Sequence, residues 1–221
     1  MEERIEESQR RGYPRIGILA LQGDFAAHAA ALRDVGIAAR EVRKLSMLED
    51  LDGLVIPGGE STTLLRLMQD EGLTALRDFH AGGGTLLGTC AGLILLARRV
   101  VHPEQRSLGL LDIEVERNGY GRQVESFRAA GQWTPSSSAP AEPLEMVFIR
   151  APRIRAVGSQ VEVLARWKGE PVLVRRGRIL GATFHPELAA GREVHRLFVE
   201  MTAGAGRGTA CYSPQSLARS S

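Results

Sequence analysis

Cysteine is scarce in this chain: 221 residues contain two, Cys90 and Cys211. Two thiols, one of them in a polar C-terminal tail, do not build a disulfide framework. That excludes the small cross-linked secreted class and fits a reducing compartment. Neither charge sign dominates, with 28 Lys and Arg against 26 Asp and Glu, and aromatics make up only 5%. The basic residues are scattered and form no stripe interleaved with aromatics, so no nucleic acid partner is expected. Long apolar runs are also missing, and the longest is too short to span a bilayer. The N-terminus, MEERIEESQRRGYPR, is dense in charge and has no apolar core of a signal peptide. The expectation is a cytoplasmic protein without membrane contact. No metal-ligand cluster and no G-x-x-x-x-G-K phosphate loop can be read, so no metal or cofactor is expected.

What is present reads as one α/β domain. A hydrophobic content of 43% and a charged content of 24% are ordinary for a globular protein, and the length gives a sizeable core. Residues 1–14 read as a flexible extension, 15–203 as the domain and 204–221 as a flexible tail. RIGILALQGDF followed by AAHAAALRDVG reads as a strand, a glycine turn and a helix that stops near Gly36. GLVIPGGEST then TTLLRLMQDEG repeats the pattern, with Ser61 as the expected helix cap, and GGGTLLGTCAGLILLARRV repeats it again. Three such units predict a mostly parallel open sheet with helices on both faces. After residue 105 the segments LGLLDIEVERN, MVFIR, VEVLARW, PVLVRR and RILGATF predict additional, partly antiparallel strands. AAGQWTPSSSAPAEP (129–143) reads as a surface loop and ELAAGREVHRLFVEMTA as a closing amphipathic helix.

In such a sheet, ligands bind beyond the carboxyl ends of the strands. The turns LQGD, PGGEST and GTCAG all fall there. Gly88-Thr-Cys90-Ala-Gly92 has the G-x-nucleophile-x-G form, in which a tight strand-to-helix turn lifts the central side chain above the sheet. A helix N-terminus at that point favours a thiolate, and the Ala91 amide can face an oxyanion. A buried cysteine is also common core filler, and from this turn alone both readings stand.

A cysteine nucleophile needs a histidine, and the histidine an orienting group. His102-Pro-Glu and His185-Pro-Glu offer the same tripeptide twice. A continuous helix after Cys90, rising about 1.5 Å per residue, carries His102 roughly 15–18 Å from the thiol, which makes it a surface turn. His185 ends the predicted strand RILGATF, where Pro186 biases it to extended backbone and Glu187 can hold its second ring nitrogen. A structural role for His185, or a helix N-terminal role for Glu187, is the competing reading. His28 and His195 read as helix-face residues, and His80 as a helix C-terminal residue.

GTCAG with a late HPE resembles the Cys-His-Glu triad of class I glutamine amidotransferases. LALQGDFAAH, LVIPGGESTT, GTCAGLILLA, LGLLDIEVERNGYGRQVESF, FIRAP and FHPEL, in this order, resemble the branch of glutaminase subunits that serve pyridoxal 5'-phosphate synthases. The resemblance covers about residues 15–203. It implies a glutaminase that hydrolyses L-glutamine to glutamate and ammonia, and passes the ammonia to a TIM-barrel synthase subunit. It implies Cys90 as nucleophile, His185 as acid and base and Glu187 as its orienter. It further implies the Gly59 and Ala91 amides as oxyanion hole, a kind of donor worth roughly 3–4 kcal/mol of barrier. Gly59, Glu60, Ser61, Arg117, Ile149 and Arg150 would line the glutamine site, the arginines suiting an α-carboxylate and Glu60 an α-ammonium. Gln22 falls near the same site. The rivals are a glutaminase feeding another synthase, a different cysteine hydrolase, a redox sensor and a chemically silent regulatory subunit. The segments NGYGRQVESF and FIRAP, the PGGEST loop and the intact Cys-His-Glu set each speak against one of them.

Overall fold

A computed structural model describes residues 13–117, 119, 126–135 and 142–204. The expected N-terminal extension, all but residues 13 and 14, and the expected tail, all but residue 204, lie outside the described residues, as do residues 136–141 of the expected surface loop.

The chain begins with β1 (Ile16–Leu19), α1 (Phe25–Asp34), β2 (Arg40–Val42) and β3 (Gly53–Ile56). It continues through α2 (Ser61–Ala81), β4 (Thr85–Thr89) and α3 (Ala91–Leu96). The second half holds β5 (Ala97–Val101), β6 (Leu111–Glu116), β7 (Phe127–Trp133), β8 (Leu144–Phe148) and β9 (Arg153–Val157). It closes with β10 (Glu162–Trp167), β11 (Glu170–Arg176), β12 (Ile179–Ala182) and α4 (Glu193–Ala203). One nine-stranded sheet runs β2-β1-β3-β4-β12-β11-β10-β7-β8, and a three-stranded sheet runs β5-β6-β9. From β2 to β12 the neighbours are parallel, and from β12 to β8 they are antiparallel. The expected parallel α/β sheet, with antiparallel strands added by the second half, is what forms.

The central parallel strands are buried along their whole length. They are therefore continuous apolar runs rather than alternating ones. Successive side chains still point to opposite faces. Leu54, Ile56 and Leu86 pack with Leu64, Leu93, Ile113 and Ile154 from α2, α3 and the small sheet. Val55 and Leu87 point the other way, against Leu32 of α1 and Val194 and Phe198 of α4. In the antiparallel half Phe127, Phe148 and Trp167 cluster, with the Phe127 and Phe148 ring centroids 4.8 Å apart.

Several expectations are corrected. The helix after Cys90 is not continuous: α3 has six residues, and Ala97 turns extended (φ −58°, ψ 150°) into β5, which pairs in parallel with β6. Pairing in a sheet overrides the helix propensity of Ala-Arg-Arg here. Residues 129–133 of the expected loop are strand, because β7 finds β8 on one side and β10 on the other. The cap of α2 is Glu60, whose carboxylate accepts from the Thr63 N–H, while Ser61 is already helical. The closing helix starts at Glu193, and Pro186–Leu188 form a separate 3-10 turn. Strands β2 and β9 were not anticipated. Gly36 behaves as expected, with φ 86° just past the end of α1.

One contact fixes how α3 leaves the sheet. A Cβ on Gly92 would stand 2.0 Å from the carbonyl oxygen of Ile56 in β3. Gly92→Ala is expected to destabilise the fold by about 1–3 kcal/mol or more, the cost of forced overpacking. Urea unfolding checks this, and an unchanged midpoint would contradict it.

Candidate active site

Strands β1, β3, β4 and β12 run parallel, and the chain leaves their carboxyl ends at Gln22, Gly58-Gly59-Glu60, Cys90 and His185. The sheet order reverses at β1, whose two neighbours are β2 and β3, so this edge lies by a topological switch point.

Cys90 occupies the turn between β4 and α3 with φ 48° and ψ −102°. A non-glycine residue in that region carries strain of about 1–3 kcal/mol, and it stays there only where its surroundings over-determine it. Here the Cys90 N–H donates to Ala182 of β12 (2.9 Å), and the Cys90 carbonyl accepts from Ile94 (3.1 Å). Cys90 is 5% exposed and its sulfur lies 3.9 Å from the Ile149 carbonyl oxygen. The helix it opens is shorter than the sequence suggests, so the electrostatic influence at Cys90 comes from the local N–H groups of one short turn rather than a long dipole.

His185 comes to the same place from β12. Its N–H donates to Val147 (2.8 Å), and its ring nitrogen Nδ1 donates to Glu187 Oε1 at 2.7 Å. Cys90 stands beside the ring on the pocket side. Room for it depends on Gly58, where a Cβ would stand 2.4 Å from His185 Cε1 and 3.3 Å from Cys90 Cβ. Burial works against a charged His185, but the hydrogen bonds and charge of Cys90 and Glu187 outweigh it and push the pKa up to about 10. Burial alone would raise the Glu187 pKa, yet the imidazoles of His28 and His185 beside it hold it below the usual carboxylate value. Glu187 sits in the 3-10 turn, so its expected alternative as a helix N-terminal acid does not apply.

A pocket of about 280 Å³ opens onto the thiol. Its walls are Gly59, Glu60, Ser61, Cys90, Ile94, Arg117, Ile149, Arg150 and His185. The predicted substrate residues are thus brought together, and Ile94 is added. Ala91 is fully buried behind Cys90. Glu60 is held by the Thr62 hydroxyl, the Thr63 N–H at 2.7 Å and Arg117 at 3.1 Å. Partial burial would raise its pKa, but the threonine hydrogen bonds prevail and bring it down to about 2, so it is a carboxylate. Gln22 accepts from the Glu60 N–H through Oε1 (3.1 Å) and crowds the α-carbon of Gly59, whose φ is 135°. Ser61 donates to Gln105 Oε1 at 2.9 Å, a neighbour that sequence reasoning missed. Asn118 and residues 120–125, from the segment that includes Arg117, lie outside the described residues.

His102 is exposed in a turn, as expected. His80 lies in the last turn of α2, also as expected. His28 and His195 lie on helix faces, as expected, and both are wholly buried. His28 shares the inward face of α1 with Ala31 and Leu32, three and four residues on. His195 shares that of α4 with Phe198, Val199 and Thr202. That spacing was the available signal. A larger cavity of about 680 Å³ lies at the opposite end of the strands, between Arg15, Asp52, Gly83 and Arg178, and neither a cysteine nor a histidine lines it. Among the described residues no group of His, Cys, Asp and Glu is placed to hold a metal ion.

The model of the SNO glutamine amidotransferase family matches residues 18–204. The chain belongs to that family. Its relatives include the "Pyridoxal 5'-phosphate synthase subunit PdxT" of Koribacter versatilis, 50% identical over 194 residues that cover 88% of this chain and 98% of the relative. The protein of the same description from Thermus thermophilus is 49% identical, covering 84% of this chain and 96% of the relative. A solved glutamine amidotransferase superposes with a TM-score of 0.78 at 47% identity, covering 85% of this chain and 98% of its own. The structure of PurLQS from Thermotoga maritima, at 18% identity and TM-score 0.64 over 85% of this chain and 98% of its own, shares the fold.

The Glu187 contact is one of the interactions that raise His185, so Glu187→Gln is expected to lower it. The neutral ring then forms at lower pH, closer to the ordinary imidazole value of about 6.5. An NMR titration of the His185 ring in the wild type and in Glu187→Gln checks this, and identical midpoints would contradict it.

Proposed function

We propose that this family member is the glutaminase component of a pyridoxal 5'-phosphate synthase, spanning residues 15–203, with residues 1–14 and 204–221 as appended segments. It hydrolyses L-glutamine to L-glutamate and ammonia and delivers the ammonia to a TIM-barrel synthase subunit. The observation that carries the reading is the meeting of Cys90 and His185 at one pocket walled by Glu60, Arg117 and Arg150, with Glu187 holding His185 from behind. The full-length likeness to relatives described as subunits of that synthase supports the choice of partner.

In this mechanism His185 takes the thiol proton and the Cys90 sulfur attacks the side-chain amide carbon of glutamine. The carbonyl oxygen becomes an oxyanion that accepts from the Gly59 and Ala91 N–H groups. His185 returns the proton to the nitrogen, the carbon–nitrogen bond breaks, and ammonia leaves a thioester on Cys90. Water then loses a proton to His185 and adds to the thioester. Collapse of the second oxyanion breaks the carbon–sulfur bond, frees glutamate and restores the thiol. Glu187 holds the Nδ1–H of His185 throughout, which fixes the tautomer and supports the imidazolium. Arg117 and Arg150 suit the α-carboxylate of glutamine, and the Glu60 carboxylate suits its α-ammonium.

The reaction needs no metal and no cofactor bound to this chain. Gln22, hydrogen-bonded at Glu60 and packed on Gly59, reports docking of the synthase subunit, and that docking completes the oxyanion hole. A silent regulatory subunit would have no use for a strained cysteine beside a buried His-Glu pair. The protein works in the cytoplasm without a nucleic acid or membrane partner, and among the described residues no helix is long and apolar enough to cross a membrane.

Ammonia and glutamate release, measured with and without the synthase subunit, tests this. Release is expected to depend on the synthase, to vanish in Cys90→Ala and to fall by roughly 10³-fold or more in His185→Ala. His102→Ala should match the wild type. Comparable losses at His102 and His185, or equal turnover without the synthase, would overturn the assignment.

A further inference from the structure

Behind Glu187, on the side away from the pocket, stand two buried histidines that the reaction scheme does not use. His28 on α1 and His195 on α4 are both 0% exposed. His28 Nε2 lies 3.2 Å from Glu187 Oε2 and 3.2 Å from the hydroxyl of Thr89, the residue before the nucleophile. His28 Nδ1 lies 3.1 Å from His195 Nε2. Of the two approaches made by Nε2, only that to Thr89 is aligned as a hydrogen bond, and Oε2 has no aligned partner of its own among the described residues. An ionised carboxylate oxygen in the core calls for a donor, and His28 Nε2 is the donor at hand.

We propose that His28 is the positioning residue for Glu187: its Nε2–H, shared with Thr89, holds Oε2, while His195 fixes the His28 tautomer from behind. The proton count is consistent. An Nε2–H facing a carboxylate leaves Nδ1 of a neutral His28 as an acceptor, which His195 must meet with its own Nε2–H. Nδ1 of His195 is then bare, and it has no partner among the described residues. Each ring carries one proton. Burial lowers the pKa of both histidines, that of His195 to about 3, which keeps them neutral. The groups that face His28 are Glu187 and His185 from the turn after β12, His195 from α4 and Asp24 at the start of its own helix, with Arg192 beyond His195. Two helices on one face of the sheet thereby set the carboxylate that orients His185 on the other side of the turn.

This role rests on the reading of Cys90, His185 and Glu187 as the reacting set. Two amide substitutions separate positioning from core filling. His28→Gln places its amide nitrogen near the lost Nε2 and can still serve Glu187, whereas His28→Asn reaches only the Nδ1 position and serves His195. His28→Gln is expected to stay within about threefold of the wild type, and His28→Asn to lose roughly tenfold or more in kcat at unchanged KM. In the free chain, without glutamine or the synthase, NMR should show His185 titrating lower in His28→Asn and near the wild-type value in His28→Gln. Equal behaviour of the two variants, whether both intact or both impaired, would overturn the proposal. If neither variant folds, His195→Leu decides. It should lower the His185 titration, and an unmoved His185 would overturn the proposal. A wild type that releases no ammonia with the synthase present would break the proposed function, while the NMR comparison still decides the role of His28.

Discussion

The close approach of the turn after β4 to strand β3 governs the rest of the molecule. Gly92 lies so near the Ile56 carbonyl that no side chain fits between them, and a Cβ on Gly88 would stand 2.7 Å from the Gly92 carbonyl carbon. With both flanks pressed against backbone, Cys90 is driven into a conformation that non-glycine residues avoid, and its side chain is left at the edge of the sheet rather than within it. Gly58 continues the same theme from β3: only its bare α-carbon leaves space for the His185 ring above Cys90. The parallel half of the sheet supplies the strand ends that carry these groups. The antiparallel half supplies Ile149 and Arg150 at the end of β8 and supports β12, which brings in His185.

Electrostatics follows from that packing. Glu187 is 4% exposed, and a buried carboxylate is costly unless paired. The structure answers with imidazoles on both sides, His185 at 2.7 Å and His28 at 3.2 Å. The same burial that penalises charge strengthens the interactions that remain, so the His185 pKa rises to about 10 while those of His28 and His195 fall. The surroundings thus favour the protonated form of His185, which receives the thiol proton, and the neutral forms of His28 and His195. On the pocket side Glu60 is kept ionised by threonine hydrogen bonds and paired with Arg117, which gives the pocket both signs of charge beside the thiol.

The active site was more legible than the fold around it. The turn that holds Cys90 is specified by residues within two positions of it, and His185 follows Phe184 directly, three residues beyond the end of the buried apolar strand β12 at Ala182. Both are local patterns. The ends of α3 and the existence of β5, β7 and β9 were hidden, because they depend on partners far along the chain: Ala97 pairs with Leu111, and Gly131 with Leu144. Ala, Gly and Arg have weak strand preferences, and tertiary pairing decided their state. The contacts of His28 and His195 were hidden for a related reason. Their spacing from apolar neighbours marked a buried face, but their contact with one another spans 167 residues and with Glu187 joins separate elements.

The central claim is that Cys90 attacks the side-chain carbonyl of glutamine. The most direct measurement is mass spectrometry of the protein after exposure, with the synthase subunit present, to a diazoketone analogue of L-glutamine, whose ketone takes the place of the amide carbonyl and whose diazo carbon, next to it, alkylates a thiol with loss of N2. A single adduct on Cys90, absent from Cys211 and suppressed by excess L-glutamine, is the predicted result. An adduct that L-glutamine does not suppress, or labelling that spares Cys90, would contradict it.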